Sequence, residues 1–295
     1  HVIDTRLPAM LRESRALPLS YFRGLNFLLN EQPGKAIESF IEVVKVDPQT
    51  IDLHFALGSL FRRQGEIDRA IRMHQNLLDR PDLPADKRPT AVFELAQDFH
   101  RAGLLDRAEE LFSRLDGSPF EVQALGFLLQ IYEQEKDWQK AITTTKRMEA
   151  LAKRPYFKEI AHYYCELAQN AMLRSQFDET LQFIDQALAE YKLCGRATML
   201  LGDIESQPGD YAAAIAAWQR IESQNPAFLG LVADRLADAY RRTGEIAQGI
   251  RVLRNYEDQY PSLDLLTTLV NQILAHEGAE AATQLIKDEL TRNPT

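Results

Sequence analysis

The chain has 295 residues, 45% of them hydrophobic, and carries 34 Lys and Arg against 43 Asp and Glu, a formal charge of −9. That acidic balance argues against a general nucleic-acid binder, and two cysteines cannot build a disulfide scaffold. No stretch reaches the roughly 18–20 apolar residues that span a bilayer.

Residues 1–16 read as a basic lead-in with Arg6, Arg12 and Arg15. Beyond them a small residue returns at Ala36, Ala70, Ala108, Ala141, Thr180, Ala214, Gly249 and Ala282, at gaps of 34, 38, 33, 39, 34, 35 and 33 residues. A period near 34 predicts a tetratricopeptide (TPR) array, in which each unit is a pair of antiparallel helices. The expected fold is all-α, a right-handed α-solenoid of about eight helix–turn–helix repeats filling 17–295. The units are expected at about 17–50, 51–84, 89–121, 122–155, 161–194, 195–228, 229–262 and 263–295.

Each unit has the same internal logic. Twelve residues before the small residue stands a second compact one, among them Gly24, Gly58, Ala96, Ala168 and Gly202. These should mark where the two helices cross closely. Four residues after it comes a large knob: Phe40, Phe112, Ile184, Trp218, Leu253 and Ile286. Gly65, Gly103, Gly209 and Gly244 should close the first helix, because glycine takes a left-handed backbone without steric cost. Pro48, Pro226, Pro261 and Pro294 should stop the second helix. Proline-rich 79–90 and residues 150–158 lengthen two turns between repeats.

No Gly-rich phosphate loop, nucleophile elbow, His-Glu-x-x-His or Cys-x-x-Cys is present, so no catalytic residue is expected. His162 and Cys165 have metal-like spacing on one helix face, but a structural zinc site wants four ligands. A polar pair between repeats is the plainer reading, and no metal or other cofactor is expected in this chain. The first helices should present a binding face. On it Arg62, Arg63, His100 and Arg101 make a basic patch flanked by Phe55 and Phe93. Arginine can fork onto a partner's carboxylate while phenylalanine supplies apolar contact. The competing reading is that these arginines pair with acids of the next helix, as surface charges often do.

Several segments are more specific than the generic repeat. They are Gly24 to Phe40, Leu57 to Gln75, Gly103 to Glu109, Asp137 to Ile142, and Glu159-Ile160-Ala161-His162-Tyr163-Tyr164-Cys165-Glu166-Leu167-Ala168. Arg62, Arg63, His74, His162, Cys165 and Glu166 within them are not repeat-consensus residues. With these segments the chain resembles the lipopolysaccharide assembly protein B family over nearly its whole length. The resemblance implies a non-catalytic adaptor anchored in the bacterial inner membrane by one N-terminal helix, its solenoid on the cytoplasmic face. It implies that the adaptor brings the deacetylase LpxC to the membrane protease FtsH and so limits lipopolysaccharide synthesis. Zinc would sit in a C-terminal rubredoxin-like module. Neither that module nor the anchor is in this sequence, so the ends, at His1 and Thr295, read as cut from a longer protein. His162, Cys165 and Glu166 would contact a partner, or lock the fifth repeat to its neighbours and receive the zinc module. A homodimer stays open. Two rival readings are a peptide-binding co-chaperone and the helical arm of a truncated enzyme. The first is weakened because Leu25, Ser59 and Gln97 stand where a carboxylate clamp needs asparagine.

Overall fold

A computed structural model describes residues 23, 24, 26, 27, 32–46 and 51–292. The basic lead-in of 1–16, Leu25, Pro48 and Pro294 lie outside the described residues, and no described residue is in a strand. No described helix is long and apolar enough to cross a membrane. The helices group into two compact units, divided between Gln134 and Glu135.

In the first unit α1 (Pro33–Val46) is followed by the hairpin α2 (Ile51–Arg63) and α3 (Ile67–Leu78). A second hairpin joins α4 (Arg88–Arg101) to α5 (Leu105–Ser113), and α6 (Glu121–Glu135) follows. In the second unit α7 (Trp138–Ala152) precedes α8 (Phe157–Leu173) with α9 (Phe177–Glu190), and α10 (Gly195–Ser206) with α11 (Tyr211–Gln219). Then come α12 (Leu229–Arg242) with α13 (Ile246–Gln259), and α14 (Leu263–His276) with α15 (Ala279–Arg292). The two long turns are shorter than the sequence predicts. Helix α4 already starts at Arg88, and the other turn is confined to 153–156 because α8 starts at Phe157.

Both hairpins named in the first unit pack on themselves, α3 rests on α4, and α2 lies against α4. In the second unit every helix from α7 to α15 packs on its successor, with α8 also against α10 and α12 against α14. In the pairs α2 with α4, α8 with α10 and α12 with α14 the first helices of consecutive repeats adjoin.

The crossings follow the small-residue rhythm. Ala70, Ala108, Ala141, Thr180 and Ala214 are completely buried. A methyl group added at Gly24 would stand 2.5 Å from the ring of Phe40, and at Gly202 it would stand 2.2 Å from Trp218. At Gly58 it would stand 2.2 Å from His74. His74 thus occupies the knob place of the second repeat, where the fourth uses Thr145 and the other six a phenylalanine, tryptophan or aliphatic side chain, and it is completely buried. Phe40, Phe112, Ile184, Trp218 and Leu253 are buried as the repeat predicts, but Ile286 is 41% exposed. Among the described residues no helix follows α15 to cover it.

The turns agree with the expected chemistry where glycine is present: Gly65 has φ +79° and Gly103 +74°. The fourth and fifth repeats place Lys136 and Ser175 there instead, both at φ +58°. Two second helices are capped by acids: Asp137 accepts a hydrogen bond from the Lys140 amide, and Asp210 from the Ala213 amide. Such caps satisfy amides that have no partner inside the helix. At the other end, α13 closes at Gln259, just before Pro261, as the position of that proline requires.

Gly58→Ala and Gly202→Ala should each cost about 1–3 kcal/mol, because a ring must move out of a filled crossing. A methyl group at Gly126 in α6 would meet nothing within 4 Å, so Gly126→Ala should gain up to about 1 kcal/mol from helix propensity. Denaturant melts of the three variants check this; equal stabilities would contradict the crossing register.

Candidate functional site: the first-helix face and its inter-repeat pairs

In the first unit, α2 and α4 place Arg62 opposite two acids one repeat on. Arg62 donates from Nη2 to Glu94 Oε2 at 2.7 Å and from Nη1 to Asp98 Oδ1 at 2.7 Å. It also donates to the Glu94 carbonyl at 3.1 Å, and Ser59 Oγ donates to Glu94 Oε2 at 3.1 Å. Burial works against the charge of Arg62, but the hydrogen bonds to Glu94 and Asp98 outweigh it and raise the guanidinium pKa. Asp98 is completely buried, and its second oxygen lies 2.5 Å from His74 Nδ1. The buried Nε2 of His74 has no hydrogen-bond partner. Phe55 packs against His74 at 6.1 Å between ring centroids.

The expected basic patch is therefore divided. Arg62 takes the alternative in which it pairs with acids of the next helix. Arg63 and Arg101 are exposed, and neither pairs with an acid among the described residues. His100 is half-buried, 5.3 Å from Phe127 and 6.5 Å from Phe112. Burial and then the charge of Arg101 lower its pKa, so it enters the patch near neutral pH as a ring rather than a cation. Phe93 is half-buried as well, stacked on Phe120 at 4.7 Å and edge-on to Phe112 and Phe127.

In the second unit, α8 and α10 bring the other expected residues against the sixth repeat. Glu166 pairs with Arg196 at 2.7 Å, and Gln169 accepts from the same guanidinium at 2.9 Å. Cys165 is completely buried and does not share an open face with His162; its Sγ lies 3.8 Å from Cys194 Sγ. His162 is exposed, with its pKa lowered by partial burial and by Arg196. Among the described residues no three His, Cys, Asp or Glu converge as a metal ion requires. One repeat further on, Arg235 reaches back to Asp203 at 2.7 Å, and Thr268 donates to Asp234 at 2.5 Å.

Glu94, Asp98, Arg196, Phe120 and Phe127 are absent from the expected set, although the sequence carries a signal for one of them. Aligned by repeat, Asp98 stands where Leu60, Ile131 and Ile204 stand. The remaining repeats have Ala239, Asn26, Asn170 and Gln272 there, so Asp98 is the one charged residue in that register, and an acid there, one repeat after a histidine in a knob position, marks a buried pair.

Asp98→Ala should cost about 3–5 kcal/mol, since it leaves Arg62 and His74 without their shared partner in the interior. Arg63→Ala should change stability by no more than about 0.5 kcal/mol. Chemical denaturation of the two variants is the measurement; comparable small losses would mean that Asp98 holds nothing in place.

Tetratricopeptide-repeat family models match residues 23–82, 55–121 and 165–227, and a further one matches 233–262. Lipopolysaccharide assembly protein B of Escherichia coli K12 is 36% identical over 284 residues, covering 96% of this chain and 73% of that protein. Its namesake in Haemophilus influenzae is 29% identical over 291 residues, with the same coverages of 96% and 73%. A solved tetratricopeptide repeat protein from Parabacteroides merdae matches 86% of this chain and 97% of its own, at 16% identity and a TM-score of 0.42. The paired helices, their crossings and the level of identity to the Escherichia coli protein lead to one conclusion: the chain belongs to the lipopolysaccharide assembly protein B family.

Proposed function

We propose that the protein is a non-catalytic adaptor in lipopolysaccharide assembly, and that it holds an acidic, partly apolar polypeptide segment on the first-helix face of its N-terminal repeats. The observation that supports this is the division of charge on that face. Arg62 is engaged by Glu94 and Asp98, while Arg63 and Arg101, in the same place of consecutive repeats, stay exposed on helices that also carry half-buried Phe55 and Phe93. A guanidinium with unused donors forks onto a carboxylate, and an aromatic neighbour adds contact area where the partner excludes water.

In the finer form of this reading the bound protein is the deacetylase LpxC, presented to the membrane protease FtsH at the cytoplasmic face of the bacterial inner membrane. The adaptor then works by raising the concentration of one protein beside another. No bond is made or broken by its own side chains, and zinc belongs to a separate cysteine-rich module of the longer protein. The family membership supports the assembly role.

Arg63→Glu combined with Arg101→Glu should lower the affinity for purified LpxC at least about tenfold, the loss of roughly one charge-assisted contact. The melting temperature should not move. Titration of fluorescent LpxC onto both proteins reads the affinity; identical binding curves would remove the arginines from the proposal. Binding of LpxC together with indifference of FtsH to the complex would leave an adaptor whose client is not degraded, and would overturn the finer form.

A further inference from the structure

The two cysteines stand 29 residues apart in sequence and meet in space. Cys165 lies midway along α8 of the fifth repeat, and Cys194 occupies the N-cap position of α10 in the sixth. Their sulfurs are 3.8 Å apart, both thiols are free, and both are buried, Cys165 completely and Cys194 with 3% exposure. The two cysteines share a core cluster with Ala161, Ala168, Ala187 and Ala197 and with the larger Ile184, Leu200 and Ile204. Cys165 is set on a long helix. Cys194 ends the short turn after α9, where its amide donates to the Tyr191 carbonyl and its neighbour Leu193 is exposed to solvent. Cys194 thus ends a turn whose preceding residue is open to solvent, while its own side chain stays buried.

We propose that Cys165 and Cys194 are a redox pair, and that a hydroperoxide such as hydrogen peroxide converts them to an intramolecular disulfide joining the fifth repeat to the sixth. Cys194 is the attacking group. The contact from Cys165, together with the Ala197 and Arg196 amides that it receives at the N-cap of α10, lowers its pKa against the opposing effect of burial. The same contact pushes the Cys165 thiol up, so it keeps its proton. Of the charged groups facing the pair, Arg196 of α10 favours ionisation and Glu166 of α8 opposes it.

The Cys194 thiolate attacks one peroxide oxygen; an S–O bond forms, the O–O bond breaks, and hydroxide leaves and is protonated to water. The Cys165 sulfur then attacks the sulfenic sulfur; the S–S bond forms, the S–O bond breaks, and the Cys165 proton leaves with the oxygen as a second water. Two thiols are oxidised and one peroxide is reduced. The sulfurs must close to about 2.05 Å, a movement that rotation of Cys194 in its turn can supply. A dithiol reductant reverses the product by exchange.

The test treats the native chain with a small excess of hydrogen peroxide and follows intact mass, thiol count and peptide map. The expected product is a monomer lighter by two hydrogen atoms, with no free thiol and with the Cys165 and Cys194 peptides linked until dithiothreitol is added. Cys194→Ser should abolish the link. In untreated protein the rate of Cys194 alkylation by iodoacetamide should rise with a midpoint below that of an ordinary cysteine, and Cys165→Ala should move that midpoint upward. Persistence of both thiols, oxidation of Cys194 to sulfinic acid without a link, or disulfides formed only between chains would each overturn the proposal.

Discussion

Close approach of two helices at a residue without a large side chain is the contact from which each repeat is built. Gly202 lies so near Trp218, and Gly24 so near Phe40, that a single methyl group would overlap the ring. A ring lodged over a glycine fills space that no other pairing of those helices fills as well. Burying such a side chain is worth about 1.5–3 kcal/mol. The hairpin still leaves an apolar stripe, which only the next repeat covers. Local crossings and stacking between neighbours are thus two parts of one constraint.

In the second repeat the ring in that position is polar, and the consequence spreads to its neighbour. His74 is closed off from water as fully as Phe40 is, so its ring nitrogen needs a partner that travels with the fold. Asp98 of the next repeat supplies it, and a buried carboxylate in turn needs compensation, which Arg62 supplies from the side. Each member is tolerable in the interior because of the next. Removing one member of such a relay costs more than the intact relay contributes, because the others are left buried and unpaired. A leucine or isoleucine at Asp98, as three other repeats have in that register, would leave His74 without that partner.

This relay also decides what the first-helix face can offer a partner. Charges engaged between repeats, such as Arg62 with Glu94 and Arg196 with Glu166, are held in one geometry and are poorly placed to recruit another protein. Charges outside those pairs keep their donors for a ligand. Membership of an assembly-protein family and the exposed arginines of the N-terminal repeats are the two observations behind the proposed adaptor role.

The repeat, its period, the crossing residues and the turn glycines were legible in the sequence because they obey local rules: a helix puts every fourth residue on one face, and only small residues allow close crossing. The knob positions were legible for the same reason, apart from Ile286, whose burial depends on what covers α15. Which charges stay free for a partner was not legible. Arg62 and Arg63 are adjacent and chemically identical, and only the rotation of α2 against α4 turns one toward Glu94 and Asp98 and the other to water. The meeting of Cys165 with Cys194 likewise depends on the stacking of two repeats. The periodic scaffold is thus written in the chain itself, since its constraints act within a turn or two of helix. The partners of the polar groups arise only on folding, since they are set by the angle and offset between helices about one repeat apart.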